Sequence, residues 1–232
     1  MKTFSKLVFW AAITMTIAIV SCGKDDDAPA TSIVDNNLSA TVSNVDPSIE
    51  VVKLLVDCEL EMNWVLDEET GENKLVTTVM GGQIIASGSY AGGKLTMNLP
   101  ATVSDEYLEP IFEDDEVPAG VSVSNLNTKG IGGFLVGYDK DNNAIGWFFY
   151  GKLDYEKEEA VIAALAYVDS DAIVTGKTTN NDVFKVTATF DYNLKKGWNF
   201  MYVLFSGDEK DGLVIRTTTS NPGGMKWVFL KY

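Results

Sequence analysis

Asp139, Asp141 and Asn143, two carboxylates and an amide at alternating positions, form the spacing most suggestive of chemistry in the chain. Such ligands open a calcium loop, which also wants Gly at its sixth position and Glu at its twelfth. Here those positions hold Ala144 and Tyr150. The stretch therefore reads as a hairpin turn, and no metal is expected. Carboxylates abound elsewhere, and glycoside hydrolysis needs only two of them at a fixed separation. They cluster in loop-like segments as solvated charge, so a hydrolase using paired carboxylates stands as the third functional reading. There is no histidine. That excludes Ser-His-Asp triads, Cys-His pairs and His-ligated zinc or haem. No phosphate loop, dinucleotide fingerprint or nucleophile elbow appears. The expectation is a protein that is not an enzyme and carries no cofactor.

The aromatic residues offer a second kind of chemistry. Trp64, Trp147, Trp198 and Trp227 lie in or beside strand-like segments, and Gly146-Trp147-Phe148-Phe149-Tyr150 alternates bulky rings across both faces of one strand. Exposed, these four tryptophans would form a stacking platform for sugars. Buried, they would be core, because large rings dominate core burial.

The elements that must position these residues are short apolar runs separated by Gly, Asn, Asp and Pro. Strands are expected at 38–45, 49–56, 59–66 and 74–80, with 67–73 as a charged hairpin loop and Gly81-Gly82 as a break. Residues 83–100 read as a hairpin turning at Gly92-Gly93, with Leu95, Met97 and Leu99 on one face and Lys94, Thr96 and Asn98 on the other. Ser104-Asp105-Glu106 has the composition of a helix start, and Pro110 soon ends it. A loop follows at 113–120. Further strands are expected at 121–126, 131–138, 144–150, 160–168, 172–178, 183–192, 198–206, 213–219 and 225–231. Residues 156–168 have helix-forming composition, but their end runs into a turn and favours a strand. In 184–191, Phe184, Val186, Ala188 and Phe190 should face the core, and Lys185, Thr187, Thr189 and Asp191 the solvent. The pattern is all-β: an antiparallel sandwich or barrel-like body, one unit or two packed subdomains dividing at 101–120, with one short helix near 104–109.

Two cysteines are present, Cys22 and Cys58. Lys2 and Lys6 precede an uncharged run, Leu7 to Val20, that is too short to span a bilayer. Ile19-Val20-Ser21-Cys22 resembles the lipobox of bacterial lipoproteins. The resemblance implies that residues 1–21 are a signal peptide and that Cys22 is acylated, through two or more chains that would hold the protein stably on a membrane. Lys24-Asp25-Asp26-Asp27 resembles the acidic surface-export signal of lipoproteins in Bacteroidota, which implies an outer-membrane anchor with the body facing the medium. Residues 22–37 would then be the lipidated cysteine and a flexible acidic tether, and 38–232 the body. Residues 40–100 bear a faint resemblance to the transthyretin-like or Ig-like β-sandwich modules of such surface proteins. With Cys22 carrying lipid, Cys58 has no partner and is expected as a buried, inert thiol.

Composition narrows the partners. The chain has 18 Lys+Arg against 33 Asp+Glu, a formal net charge of −15, and a single arginine, Arg216. Nucleic acid is excluded because phosphate binding needs a basic footprint. Attraction to anionic lipid is likewise excluded, so contact with the membrane must run through the lipid on Cys22. The first functional reading is a surface-exposed, non-catalytic binding or interaction protein, with glycan or nutrient capture as the role that suits it. The second is a structural accessory subunit of an outer-membrane complex.

Overall fold

The computed structural model describes residues 32–44, 46–66, 73–112, 117–154, 159–180, 185–208 and 212–232. The expected signal, Cys22 and Lys24 to Asp27 lie outside the described residues. So do 67–72 of the expected hairpin loop, the acidic loop 113–116, the start of the helix-prone segment at 156–158, and 181–184 with Phe184.

The body is all-β, as its patterning implies. Fifteen strands are described: β1 Ser32–Val34, β2 Asn37–Thr41, β3 Val51–Leu66, β4 Asn73–Ala91, β5 Lys94–Asn98, β6 Glu109–Pro110, β7 Val121–Val123 and β8 Lys129–Tyr138. They continue as β9 Ala144–Asp154, β10 Glu159–Val168, β11 Ala172–Asn180, β12 Val186–Leu194, β13 Gly197–Asp208, β14 Gly212–Thr218 and β15 Lys226–Lys231. All belong to one sheet, ordered β1-β2-β5-β4-β3-β8-β9-β10-β13-β14-β12-β11-β7, with β15 on β9 and β6 on β8. The ladders are antiparallel except β12–β14, where β14 slots in between β12 and β13.

Strands β2, β5, β4, β3, β8, β9 and β15 curl into a barrel-like ring. Strand β15 runs from its partner β9 to the end of β2, where Val42 and Trp227 form a parallel bridge. The Ser43 N–H donates to the Trp227 carbonyl at 2.8 Å. The Asn44 side chain then stands in for a strand: its Nδ2 donates to the Phe229 carbonyl and its Oδ1 accepts from the Phe229 N–H, both at 2.7 Å. Inside the ring pack Leu38, Val52, Leu54, Leu95, Met97, Leu135, Phe148, Tyr150, Trp227 and Phe229. Gly146 lets Phe229 lie flat against β9: a Cβ there would stand 2.5 Å from the Phe229 ring and 2.4 Å from the Leu230 carbonyl. A second core forms between the end of β10, β11 and β12, from Val168, Val174, Ala188, Phe190, Tyr192 and Leu194. Gly176, with φ at 138°, lets β7 approach, since its Cβ would meet the Gly120 carbonyl at 2.1 Å.

Strand β9 carries rings on both faces, and both faces are buried. Phe148 and Tyr150 point into the ring. Trp147 and Phe149 lie in a separate cluster with Leu55, Cys58, Val79 and Val136. Residues 51–56 are likewise apolar on both faces apart from Lys53: Val52 and Leu54 belong to the inner cluster and Leu55 to the outer.

Several local expectations need correction. Residues 49–56 and 59–66 are one strand, and Gly81-Gly82 does not break β4. Asp57, Gly81 and Gly82 take left-handed φ values of 53°, 68° and 88°, so the pair of strands kinks and stays paired. The helix near 104–109 is a single 3-10 turn, Asp105–Tyr107, and Ser104 makes no side-chain cap. Its hydroxyl donates to Glu106 at 3.0 Å instead. Thr187 is buried, with its hydroxyl 3.3 Å from that of Thr179, so the polar face of β12 is partly covered. Within the segment expected as tether, Ser32–Val34 pairs with β2 through a turn in which Asp35 and Asn36 both have positive φ. The body's first strand therefore lies upstream of residue 38.

Candidate functional site

The outer face of β2, β5, β4 and β3 forms a concavity of about 480 Å³. Alternation along each strand sends the apolar residue into the ring and the polar one outward, giving buried Leu38, Leu95 and Met97 against exposed Asn37, Lys94 and Asn98. The β4–β5 hairpin fixes this register, with Gly92 and Gly93 both at positive φ as a two-residue turn demands. Gly88 brings the strands close: a Cβ there would stand 2.4 Å from the Thr96 carbonyl.

The walls are amides and hydroxyls. Asn37 Nδ2 donates to Asn98 Oδ1 at 2.8 Å, and the Ser89 and Thr96 hydroxyls lie 2.7 Å apart. Ser87 and the carboxylate of Glu50 complete the polar lining, and no Lys or Arg takes part. Such a surface offers neutral donors and acceptors beside one carboxylate. It suits a polar, uncharged ligand and lacks the cations that a phosphate needs.

Trp147 and Trp227 contribute no face to an open platform. Trp147 and Trp227 are each only 5 % exposed and present no ring face to solvent. Trp227 stacks on Tyr150, centroids 4.9 Å apart, while Trp147 meets Phe134 and Phe149 edge-on at 5.9 and 6.1 Å. Packing explains the correction, because inner and outer clusters both need large rings to fill them. Trp198 is half-buried; its Nε1 donates to the Pro100 carbonyl at 2.9 Å and its ring meets Tyr167 at 5.5 Å. The backbone of Trp64 pairs with Leu75 in the β3–β4 ladder, and its side chain lies outside the described residues. Trp198 and Trp227 share one core cluster and Trp147 belongs to another.

Cys58 is buried and unpaired, and its thiol lies 3.8 Å from the Leu55 carbonyl. Burial, with the charge of Asp57 adding to it, pushes the thiol up to about 12, so the nucleophilic thiolate is absent at neutral pH. The Asp139 carboxylate accepts from the Asn143 N–H at 2.8 Å, the Asp141 N–H at 2.9 Å and Asn143 Nδ2 at 3.1 Å. These bonds hold it below the usual range and build the β8–β9 turn. Asp46 and Asp171 are lowered too, chiefly by bonds from Ser48 and from Lys196. A general acid would need the opposite shift. No group of His, Cys, Asp or Glu suited to a metal occurs among the described residues. Nor does any helix among them have the length and apolar character to cross a membrane.

The polar concavity was not singled out from sequence. Its signal is the run of Ser, Thr and Asn on the outward positions of adjacent strands, visible once β2, β5 and β4 are known to be neighbours. Comparison of the chain with models of known families, with curated proteins and with solved structures finds no match.

Proposed function

We propose that this chain is a lipid-anchored, surface-exposed, non-catalytic binding protein, held in the outer membrane through Cys22 and turned toward the medium. Its ligand on this reading is a neutral, polar polymer of the glycan class. The observation that carries the reading is the concave wall of Asn37, Ser87, Ser89, Thr96 and Asn98, whose neutral donors and acceptors match sugar hydroxyls. The lipobox-like Ile19 to Cys22 and the acidic Lys24 to Asp27 support the location.

The test is a titration of the protein with a panel of neutral and acidic polysaccharides, followed by melting temperature and by calorimetry. Saturable binding of one neutral glycan is expected, with an affinity loss of tenfold or more in the double variant Asn37→Ala, Asn98→Ala. Binding that is indifferent to this variant would remove the concavity from consideration. The second reading, an accessory subunit of an outer-membrane complex, draws on the burial of Trp147 and Trp227. It expects no glycan binding and a cross-linked protein partner on intact cells.

A further inference from the structure

The β3–β4 ribbon leaves the body at a kink. Strand β3 pairs with β8 only from Val51 to Val56, while its ladder with β4 continues to Leu66. Beyond Val56 the ribbon has no third strand among the described residues. A free two-stranded ribbon is marginally stable in water, so its stem needs other support. That support is a small set of contacts on the outer face of β9. Cys58 and Val79 pack into the cluster of Trp147 and Phe149, bordered by Phe134 and Tyr232. The Val79 N–H, on the unpaired edge of β4, donates to the Tyr232 hydroxyl at 3.1 Å. Tyr232 is in turn held by its own N–H, which donates to the Ile145 carbonyl at 3.0 Å.

Three residues at the kink, Asp57, Gly81 and Gly82, sit in the left-handed region on facing strands. Two are glycines, which cross between left- and right-handed backbone at little cost. Under the stem, Trp147 is nine-tenths buried and its Nε1–H has no hydrogen-bond partner among the described residues. A buried donor without an acceptor disfavours the closed arrangement.

We propose that the stem of the β3–β4 ribbon is a hinged strap, latched by Tyr232, that opens as a unit and uncovers the Trp147 face while the rest of the body stays folded. Opening gives Nε1 access to an acceptor and bares the edge-on rings of Phe134, Trp147 and Phe149.

Cys58 reports the event, because its thiol is buried only while the strap is closed. The full chain, purified in detergent, is treated with N-ethylmaleimide at increasing urea, and modification of the Cys58 peptide is read by mass spectrometry. Global unfolding is followed on the same samples by circular dichroism. The expected result is modification well before unfolding, with a urea dependence less than half that of the global transition. Tyr232→Phe should speed it about fivefold, the factor for one net hydrogen bond. A urea dependence equal to that of global unfolding would overturn the proposal. So would a rate that changes in Tyr232→Phe only in proportion to global stability.

Discussion

Replacing Asn44 by Ala should open the seam of the barrel-like ring, and the size of the effect follows from the two bonds lost. The amide donates to the Phe229 carbonyl and accepts from the Phe229 N–H, both at 2.7 Å. Phe229 is 3 % exposed, so Ala leaves two backbone groups with no near substitute except water entering at the half-buried Asn44 site. Each unsatisfied group costs about 1–3 kcal/mol when fully buried. Allowing for water at this edge, we take the low end, about 2 kcal/mol in all. For a chain of this length that corresponds to a fall in Tm of about 4–8 °C. The assay is urea unfolding with the m-value fitted freely, so that a change in stability separates from a change in compactness. Asn44→Asp sharpens the test. Its carboxylate keeps the acceptor for the Phe229 N–H but sets negative charge against the Phe229 carbonyl. It should be at least as destabilised as Ala at pH 7 and recover as the pH falls through the carboxyl range, when the protonated acid can donate. A loss under 0.5 kcal/mol for Asn44→Ala, or an Asn44→Asp variant with the same pH dependence as wild type, would refute the seam reasoning.

Four further outcomes are expected. Gly146→Ala should lose about 2–3 kcal/mol in urea unfolding, because its Cβ would strike the Leu230 carbonyl and the Phe229 ring. Gly223→Ala, whose Cβ meets nothing within 4 Å but whose φ is 74°, should lose only about 1 kcal/mol. The Asp46 carboxyl is lowered first by the Ser48 hydroxyl and then by the Ser48 N–H, with Lys231 adding to them. A depressed carboxyl contributes stability above its unfolded value, near pH 4, that is lost as pH falls through the folded value. Asp46→Asn should therefore be less stable than wild type at pH 6 and converge with it as the pH falls through the lowered carboxyl value, read in acid-melting curves. Trp198→Phe removes the indole donor to the Pro100 carbonyl and should lower stability by about 1 kcal/mol in thermal melts.

What was legible in the sequence is local. The β4–β5 hairpin announces itself through Gly92-Gly93 and the alternation of Leu95 and Met97 with Thr96 and Asn98, and it folds in that register. The β8–β9 turn is written in Asp139 and Asn143, whose side chains bond back to the turn. Residues 159–168, poised between helix and strand by composition, form β10, because β9, β8 and β13 all pair with it and tertiary context overrides propensity. What was not legible is long-range. Nothing near Asn44 marks it as a partner of Phe229, 185 residues away. The parallel pairing of β12 with β14 has no sequence signature either, since the β13–β14 hairpin could have lain on either side. Gly81-Gly82 looks like a break because glycine usually punctuates a strand; here it lets two long strands bend together. The burial of Trp147 and Trp227 was not legible either, because burial depends on what faces a strand, and periodicity cannot supply that.

The account rests on the body being anchored and presented outward, and one measurement tests that most directly. Cells producing the full chain are fed an alkyne-tagged fatty acid and then treated, intact, with a protease that cannot cross the outer membrane. The expected result is that the chain carries the tag, that Cys22→Ser loses it, and that the protease removes the body from intact cells. A chain without tag, or a tagged chain whose body survives the protease until the cells are broken, would contradict it.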